Sequence, residues 1–339
     1  MQRGYDMKQA KWKKYCSVFM IATLICGMLT GCGGGSDKDM YKIGIVQLVS
    51  HGAGELAADG FKQAVLDSGL VEGETVTFIE QNGQNEQSNL ESIAQSFLSE
   101  AVDLICAVST STAQVMAAAT SEIPIVGTAI TNYEETRLVE SNEAPGYNVT
   151  GTSDQNPIEK QGELLLKLVP DAKAVGIVYN ASEVNSQLQV AHMTTYMQSH
   201  NVAVVESTFA DINHMQQAAQ ALVGKVDAIY LPTDNAVASS MAQVVTVAEE
   251  AKLPIICGAI SQVEAGGLAT YGIDYYKLGY QSGMMAVKIL NGEAEPATMP
   301  IQFANENELT LVINKGEADL IGLDIPQDLL KQAQIVETK

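Results

Sequence analysis

The sequence predicts an α/β protein of two doubly wound, Rossmann-like lobes with parallel sheets and a ligand cleft between them. Three observations point there. Short β-branched apolar runs alternate with longer helical patterns through most of the 339 residues. The runs are apolar on both faces, as in parallel sheets covered by helices on either side. Their order also repeats: "YKIGIVQLVS" resembles "AKAVGIVYNAS", "VDLICAVSTSTA" resembles "VDAIYLPTDNAV", and "IPIVGTAI" resembles "LPIICGAI". Three matches in one order, at nearly one offset, suggest two similar halves.

Taken in chain order, the first element is a leader. Arg3, Lys8, Lys11, Lys13 and Lys14 stand against a single acid, Asp6, and precede the apolar stretch "YCSVFMIATLICGML". That stretch is short of the roughly 20 residues that span a bilayer. A basic flank, a short apolar core and then small residues form a secretory signal, here residues 1–31. Met1 and Met7 both serve as possible starts, since "MKQAKWKKYC" is itself a compact basic region. Leu29-Thr30-Gly31-Cys32 matches a bacterial lipobox. The match implies cleavage before Cys32, lipidation of its thiol and a lipid anchor at the outer face of the cell membrane, followed by a flexible glycine-rich tether over residues 32–40. The plainer alternative is a signal peptide with a chance cysteine.

Strand candidates then follow as "KIGIVQLV", "TVTFIEQ", "DLICAVS", "IPIVGTAI", "AVGIVYN", "VAVVEST", "DAIYLPT", "LPIICGA", "LATYGID" and "LTLVIN". Helical patterns lie between them, among them "GELAADGFKQAVLDSG", "NLESIAQSFLSEA", "QLQVAHMTTYMQSH" and "MQQAAQALVGK". The expected division is lobe one over about 41–153 and 275–291, and lobe two over about 155–274 and 292–339. "NVTGTSD" and "GID" are expected crossings between them.

Composition narrows the function. There are 40 acidic and 19 basic residues, a net charge of −21. Losing the leader makes the remainder more acidic still. Such a surface disfavours nucleic acid or an anionic membrane as the main partner, although it also serves plain solubility. Cys106 and Cys257 sit inside apolar runs and read as buried free thiols. No CxxC or HExxH pattern suggests a metal, His51, His192, His200 and His214 have no ligand spacing, and no cofactor is expected. There is no GxxxxGK[ST], GxSxG or GxGxxG, and Ser182 to Asn185 with the lone His51 makes no triad, so an enzyme is disfavoured.

Ligands of open α/β sheets bind beyond the carboxyl ends of the strands. Those ends carry Gln47, Ser50 and His51; Ser109, Thr110 and Ser111; Thr131, Asn132 and Tyr133; Glu183, Asn185 and Ser186; Thr233, Asp234 and Asn235; and Asp274 and Tyr275. Polar strand ends are common, and their concentration here is what carries weight.

At these residues the chain resembles a family of ABC transporter substrate-binding lipoproteins that includes the tryptophan and tyrosine binders. The resemblance rests on "GIVQLVSH", "NVTGTSD", "EVNS", "VDAIYLPTDNAVAS", "GIDYYKLGYQSGMMAVKILNGE" and "LVIN". It implies a type I periplasmic-binding-protein fold with three hinge crossings, closure on a small molecule, and delivery to a membrane permease driven by an ATPase. A ligand-sensing surface receptor of the same fold, or a binder of a nucleoside or sugar, is the alternative. The mature chain has no tryptophan, since Trp12 falls in the leader, and this disfavours sugars. Two departures stand out. The family's serine-histidine-proline is Ser50-His51-Gly52, a loop expected to be more flexible. Its threonine-aspartate-proline is Thr131-Asn132-Tyr133, which loses a carboxylate and adds a ring.

For an α-amino acid, the hydroxyl-rich stretch from Ser109 to Thr112 at a helix start suits the carboxylate. The ammonium needs an acid: Asp234 first, Asp274 second, Glu183 third. Tyr133, Tyr147, Tyr275 and Tyr276 are candidate rings for an aromatic ligand.

Overall fold

The computed structural model describes residues 40–305 and 308–337. The leader, the Cys32 lipidation site and the tether up to residue 39 lie outside them. Thirteen strands are described, β1 (Tyr41–Gln47), β2 (Val76–Asn82), β3 (Leu104–Val108), β4 (Ile125–Ile130), β5 (Val149–Ser153), β6 (Ala174–Asn180), β7 (Ala203–Phe209), β8 (Ala228–Leu231), β9 (Ile255–Cys257), β10 (Ala269–Gly272), β11 (Gln302–Phe303), β12 (Thr310–Asn314) and β13 (Gln334–Val336). They form two sheets, ordered β11-β5-β4-β3-β1-β2 and β13-β12-β10-β9-β8-β6-β7.

The pairings are parallel except β10 with β12. The central strands β3 and β8 are buried along their whole length. This is why they read as unbroken apolar runs. Each sheet is covered on both faces, giving two separate apolar cores per lobe. Cys106 and Cys257 are free and buried in them.

The expected division needs one correction. Residues 292–303 go with the first lobe, because β11 pairs with β5 and Ile301 packs in the first lobe's core. The C-terminal span is therefore split, and the chain crosses between lobes after β5, after β10 and between β11 and β12.

One helix pair positions the cleft on the first lobe's side. Helices Gly52–Asp67 and Tyr275–Leu290 meet at backbone contact. A Cβ on Gly279 would lie 1.9 Å from the Ala57 carbonyl, and one on Gly60 would lie 2.0 Å from the Tyr276 carbonyl. Such closeness fixes both helix starts, His51 and Tyr275, relative to each other.

Candidate functional site

The carboxyl ends of the two sheets enclose a narrow cavity of about 30 Å³. From the first lobe it is lined by His51, Ser109, Thr131, Asp154 and Tyr275, and from the second by Asn185, Thr233, Asp234, Asn235, Ser261 and Gln262. Gly54, Val108 and alanines 53, 129, 238 and 259 complete the wall. Neither lysine nor arginine is among the lining residues. A larger open groove runs between helices Gln87–Glu100 and Thr110–Ala119 and the Asn180–Glu183 loop. It holds Ser111 and touches Glu183, but the buried ionisable groups gather in the smaller, enclosed cavity.

Asp154 is the acid the sequence reading missed. It follows β5 directly and is 3 % exposed. Its Oδ2 accepts from the Tyr275 hydroxyl at 2.7 Å, while its Oδ1 has no partner in the protein. Burial raises its pKa, against the hydroxyls of Tyr275 and then Thr131, which hold it down. Ser109 Oγ, Asn185 Oδ1 and Ser261 Oγ in the same wall are also buried without partners. Buried polar atoms in native proteins are nearly always paired, so their convergence here marks a place for a polar ligand.

Ser109 adds a second mark. It sits at φ 88°, ψ 159°, a conformation that costs a non-glycine residue about 1–3 kcal/mol. It precedes the helix Thr110–Ala119, so the first N–H groups of that helix and the Ser109 hydroxyl share one corner. Ala129 of the same wall also has positive φ, 55°. Thr110 is buried with an unpartnered hydroxyl.

Asp234 is differently placed from the expected ammonium partner. Its Oδ1 accepts from Val237 N, and its Oδ2 from Asn180 N and Ser186 Oγ at 2.7 Å. It is thus the cap of the helix Asn235–Ser239 and the tie between β6, β8 and the helix Val184–Ser199. Glu183 lies behind it, accepting from Asn235 N, Ala236 N and Asn235 Nδ2. Burial, and then the charge of Asp234, raise Glu183 to about 8, and burial raises Asp234 as well. Glu183 therefore keeps its proton near neutrality, and the N–H donors around both carboxyls offset the charge that remains.

His51 reaches across the cleft. Its Nε2 lies 3.0 Å from Asn235 Oδ1, while its Nδ1 accepts from Gly54 N as the helix cap. The ring is therefore neutral with the proton on Nε2, and burial lowers its pKa. A second link joins the lobes through Gln189, which donates to Thr131 Oγ1 at 3.4 Å and to Thr233 Oγ1 at 2.5 Å.

Other expected residues are elsewhere. Tyr133 is 1 % exposed in the first lobe's core, its hydroxyl bonded to the Thr152 carbonyl, because Gly127 and Gly151 leave a slot for its hydroxyl end. Asn132 caps the following turn through Glu135 N. Asp274 caps the helix Tyr275–Leu290 on the outside and pairs with Lys277. Ser50 accepts from Asn82 at the exposed rim, and Gln47, its Oε1 buried without a partner, sits beside Gly54 of the cavity wall. Tyr147 and Tyr276 are exposed on the surface. Gly52 is the first residue of a helix, not part of a flexible loop.

An α/β pair of lobes facing each other across a cavity lined by buried acids defines a solute-binding protein of the type I periplasmic class. The comparisons agree. A family described as ABC transporter substrate binding protein matches residues 42–337. The chain belongs to that family, whose members bind solutes outside the cytoplasm and are not enzymes. It is 42% identical over 313 residues to a tyrosine-binding protein of Clostridioides difficile, covering 89% of this chain and 90% of that one. A Streptococcus pneumoniae ABC domain in complex with L-Trp superposes with TM-score 0.84 at 34% identity, covering 88% of this chain and all of that one. The ligand-free, open structure of a Clostridium difficile substrate-binding protein with adhesive properties gives 0.66 at 41% identity, with 88% and 100% covered. Hydrogen bonds from His51 to Asn235 and from Gln189 to Thr131 join the two lobes across the cleft in this structure. No helix among the described residues is long and apolar enough to cross a membrane.

Proposed function

We propose that this protein captures an aromatic L-amino acid for an ABC importer. The observation that carries the reading is Asp154, a buried acid with one unpartnered oxygen, in the same cavity as the unpartnered Ser109 hydroxyl at a helix start. An α-amino acid supplies the complementary pair. Its ammonium meets Asp154, and its carboxylate meets Ser109 and the N–H groups of the helix Thr110–Ala119. A wall with no lysine or arginine disfavours dianions such as sugar phosphates. Tyr275 in the same wall offers an aromatic neighbour to a ring that enters as the lobes part. The tyrosine-binding relative and the L-Trp complex support this choice of ligand.

In the same reading the mature chain starts at Cys32 and is lipid-anchored to the cell membrane, and the loaded protein docks on a permease served by an ATPase. Exchange of Cys32 for Ser is expected to release the protein from the membrane fraction.

Isothermal titration of the purified protein with the twenty amino acids tests the ligand. Heat with L-tyrosine, L-tryptophan or L-phenylalanine supports the reading. Binding of a sugar or nucleoside alone overturns it.

A further inference from the structure

Lobe closure brings one more pair of residues together, and neither carries a charge. Gly52 opens the helix Gly52–Asp67 in the first lobe, directly after His51. Ser261 lies in the short helix Ile260–Glu264 of the second lobe. A Cβ built on Gly52 would lie 2.9 Å from the Ser261 Cβ. Real Cβ atoms do not come that close, and a Cβ cannot swing away as a long side chain can.

The helix of Ser261 is also held from behind. Gln262 Oε1 accepts from Gly258 N and Ala259 N, and its Nε2 donates to the Pro232 carbonyl at 2.9 Å. Ser261 is therefore tied to the ends of β8 and β9 and has little freedom to retreat. On the other side, the start of the first helix is fixed by its backbone contact with Tyr275–Leu290. Two rigid parts, one from each lobe, meet at a point where only a hydrogen fits.

We infer that Gly52 sets the depth of lobe closure in this protein and is thereby a specificity-determining residue for its ligand. The backbone at Gly52 is ordinary helix, outside the left-handed region that favours glycine, so conformational freedom does not explain it. The first position of a helix accepts proline and most other residues. Space across the cleft does explain it. The inference rests on the amino-acid reading above only for the choice of ligand.

The test is a double-mutant cycle of Gly52→Ala and Ser261→Gly. Spin labels at Glu86→Cys and Ala181→Cys, both exposed and on opposite lobes, report closure in a Cys32→Ser background; Cys106 and Cys257 are buried. Gly52→Ala is expected to weaken L-tyrosine, L-tryptophan or L-phenylalanine binding about tenfold, the cost of overpacking one methyl. It should also deplete the closed distance population, while ligand-free Tm stays the same or rises, since alanine favours the helix. Adding Ser261→Gly should restore both affinity and closure relative to Ser261→Gly alone. Unchanged affinity and closure in Gly52→Ala, or a loss that Ser261→Gly does not rescue, would overturn the inference. So would the absence of a closed population from every variant. If no amino acid binds but the closed population still follows the cycle, the ligand reading fails and the role of Gly52 stands.

Discussion

The Nε2 of His51 and the Oδ1 of Asn235 are 3.0 Å apart and belong to different lobes. The link continues through Asn235 Nδ2 to the buried carboxyl of Glu183. One side chain therefore caps a helix in the first lobe and fastens the second lobe to it. His51→Ala is expected to speed ligand release and weaken binding about tenfold, the worth of one well-placed hydrogen bond. Fold stability should fall by only about 1 kcal/mol, through the lost cap. Stopped-flow dissociation kinetics separate the two. Equal release rates in both proteins would show that the link does not hold the closed state.

The two buried aspartates of the cleft should part company on mutation. Asp154→Asn keeps an acceptor for Tyr275 but removes the charge proposed to meet the ammonium. Affinity should drop a hundredfold or more, since a buried charge left without its partner costs roughly 3–5 kcal/mol. Stability should hold or rise, because burial already strains the Asp154 carboxylate. Asp234→Ala should do the reverse in emphasis, losing bonds to Asn180, Ser186 and Val237 and with them several degrees of Tm. Titration calorimetry and thermal unfolding of both variants decide. A large affinity loss in Asp234→Ala alone, with Asp154→Asn unaffected, would return the ammonium to Asp234.

These two residues also show what was legible in the sequence. The repeat of "GIV", "VD" and "IP" segments exposed two similar lobes, since parallel strands are apolar on both faces. Strand ends then led to His51, Ser109, Thr131, Asn185, Thr233, Asp234, Asn235 and Tyr275, all in the cavity wall. Asp154 escaped because β5, "VTGTS", is polar in composition though buried, and does not look like a strand. The aspartate in "NVTGTSD", at an expected crossing, was the available signal. Ser261 and Gln262 escaped because the residues directly after the strand in "LPIICGA", Gly258 and Ala259, carry no polar side chain, and the helix that holds the two is only five residues long. Tyr133 misled for the opposite reason. Its slot is made by Gly127 and Gly151, which a linear pattern does not place side by side.

That slot gives a prediction about the core. Tyr133→Phe loses only the bond from its hydroxyl to the Thr152 carbonyl, at 3.1 Å. Stability should fall by about 1 kcal/mol or somewhat more, and ligand affinity should not change. Urea unfolding and titration calorimetry check both. A change in affinity would place the ring at the ligand after all.

The carboxyl pair behind the cleft predicts a pH dependence. Glu183 rises from 4.5 to about 8 in the folded protein, so the folded state keeps a proton that the unfolded state has lost. Where the native state binds more protons, stability falls as pH rises. The fall spans pH 4.5 to about 8 and then stops. Glu317, raised to about 7 by burial and by Glu249, adds the same slope at lower pH. His51 acts oppositely: its lowered pKa makes stability rise with pH, but only below 6.5. Between pH 7 and 8 the pair dominates, and unfolding free energy should drop by about 1 kcal/mol. Glu183→Gln should flatten that interval. Equal stability of the parent protein at pH 7 and 8 would show that the pair holds no proton.

Ser109 makes the last prediction, because strain and binding should trade against each other there. At φ 88°, ψ 159° its backbone is one that glycine adopts readily and serine does not. Ser109→Gly should relieve that strain and raise stability by about 1 kcal/mol, less than the full strain because glycine gains freedom in the unfolded chain. The same change deletes the hydroxyl proposed to meet the ligand carboxylate and loosens the start of the helix Thr110–Ala119. Affinity should therefore fall about tenfold while Tm rises. Ser109→Ala separates the two effects, since it removes the hydroxyl but keeps the strain, and should lower affinity without the gain in Tm. If both variants bind as the parent does, the carboxylate lies elsewhere in the cavity, and the strain at Ser109 serves only to turn the chain from β3 into the helix.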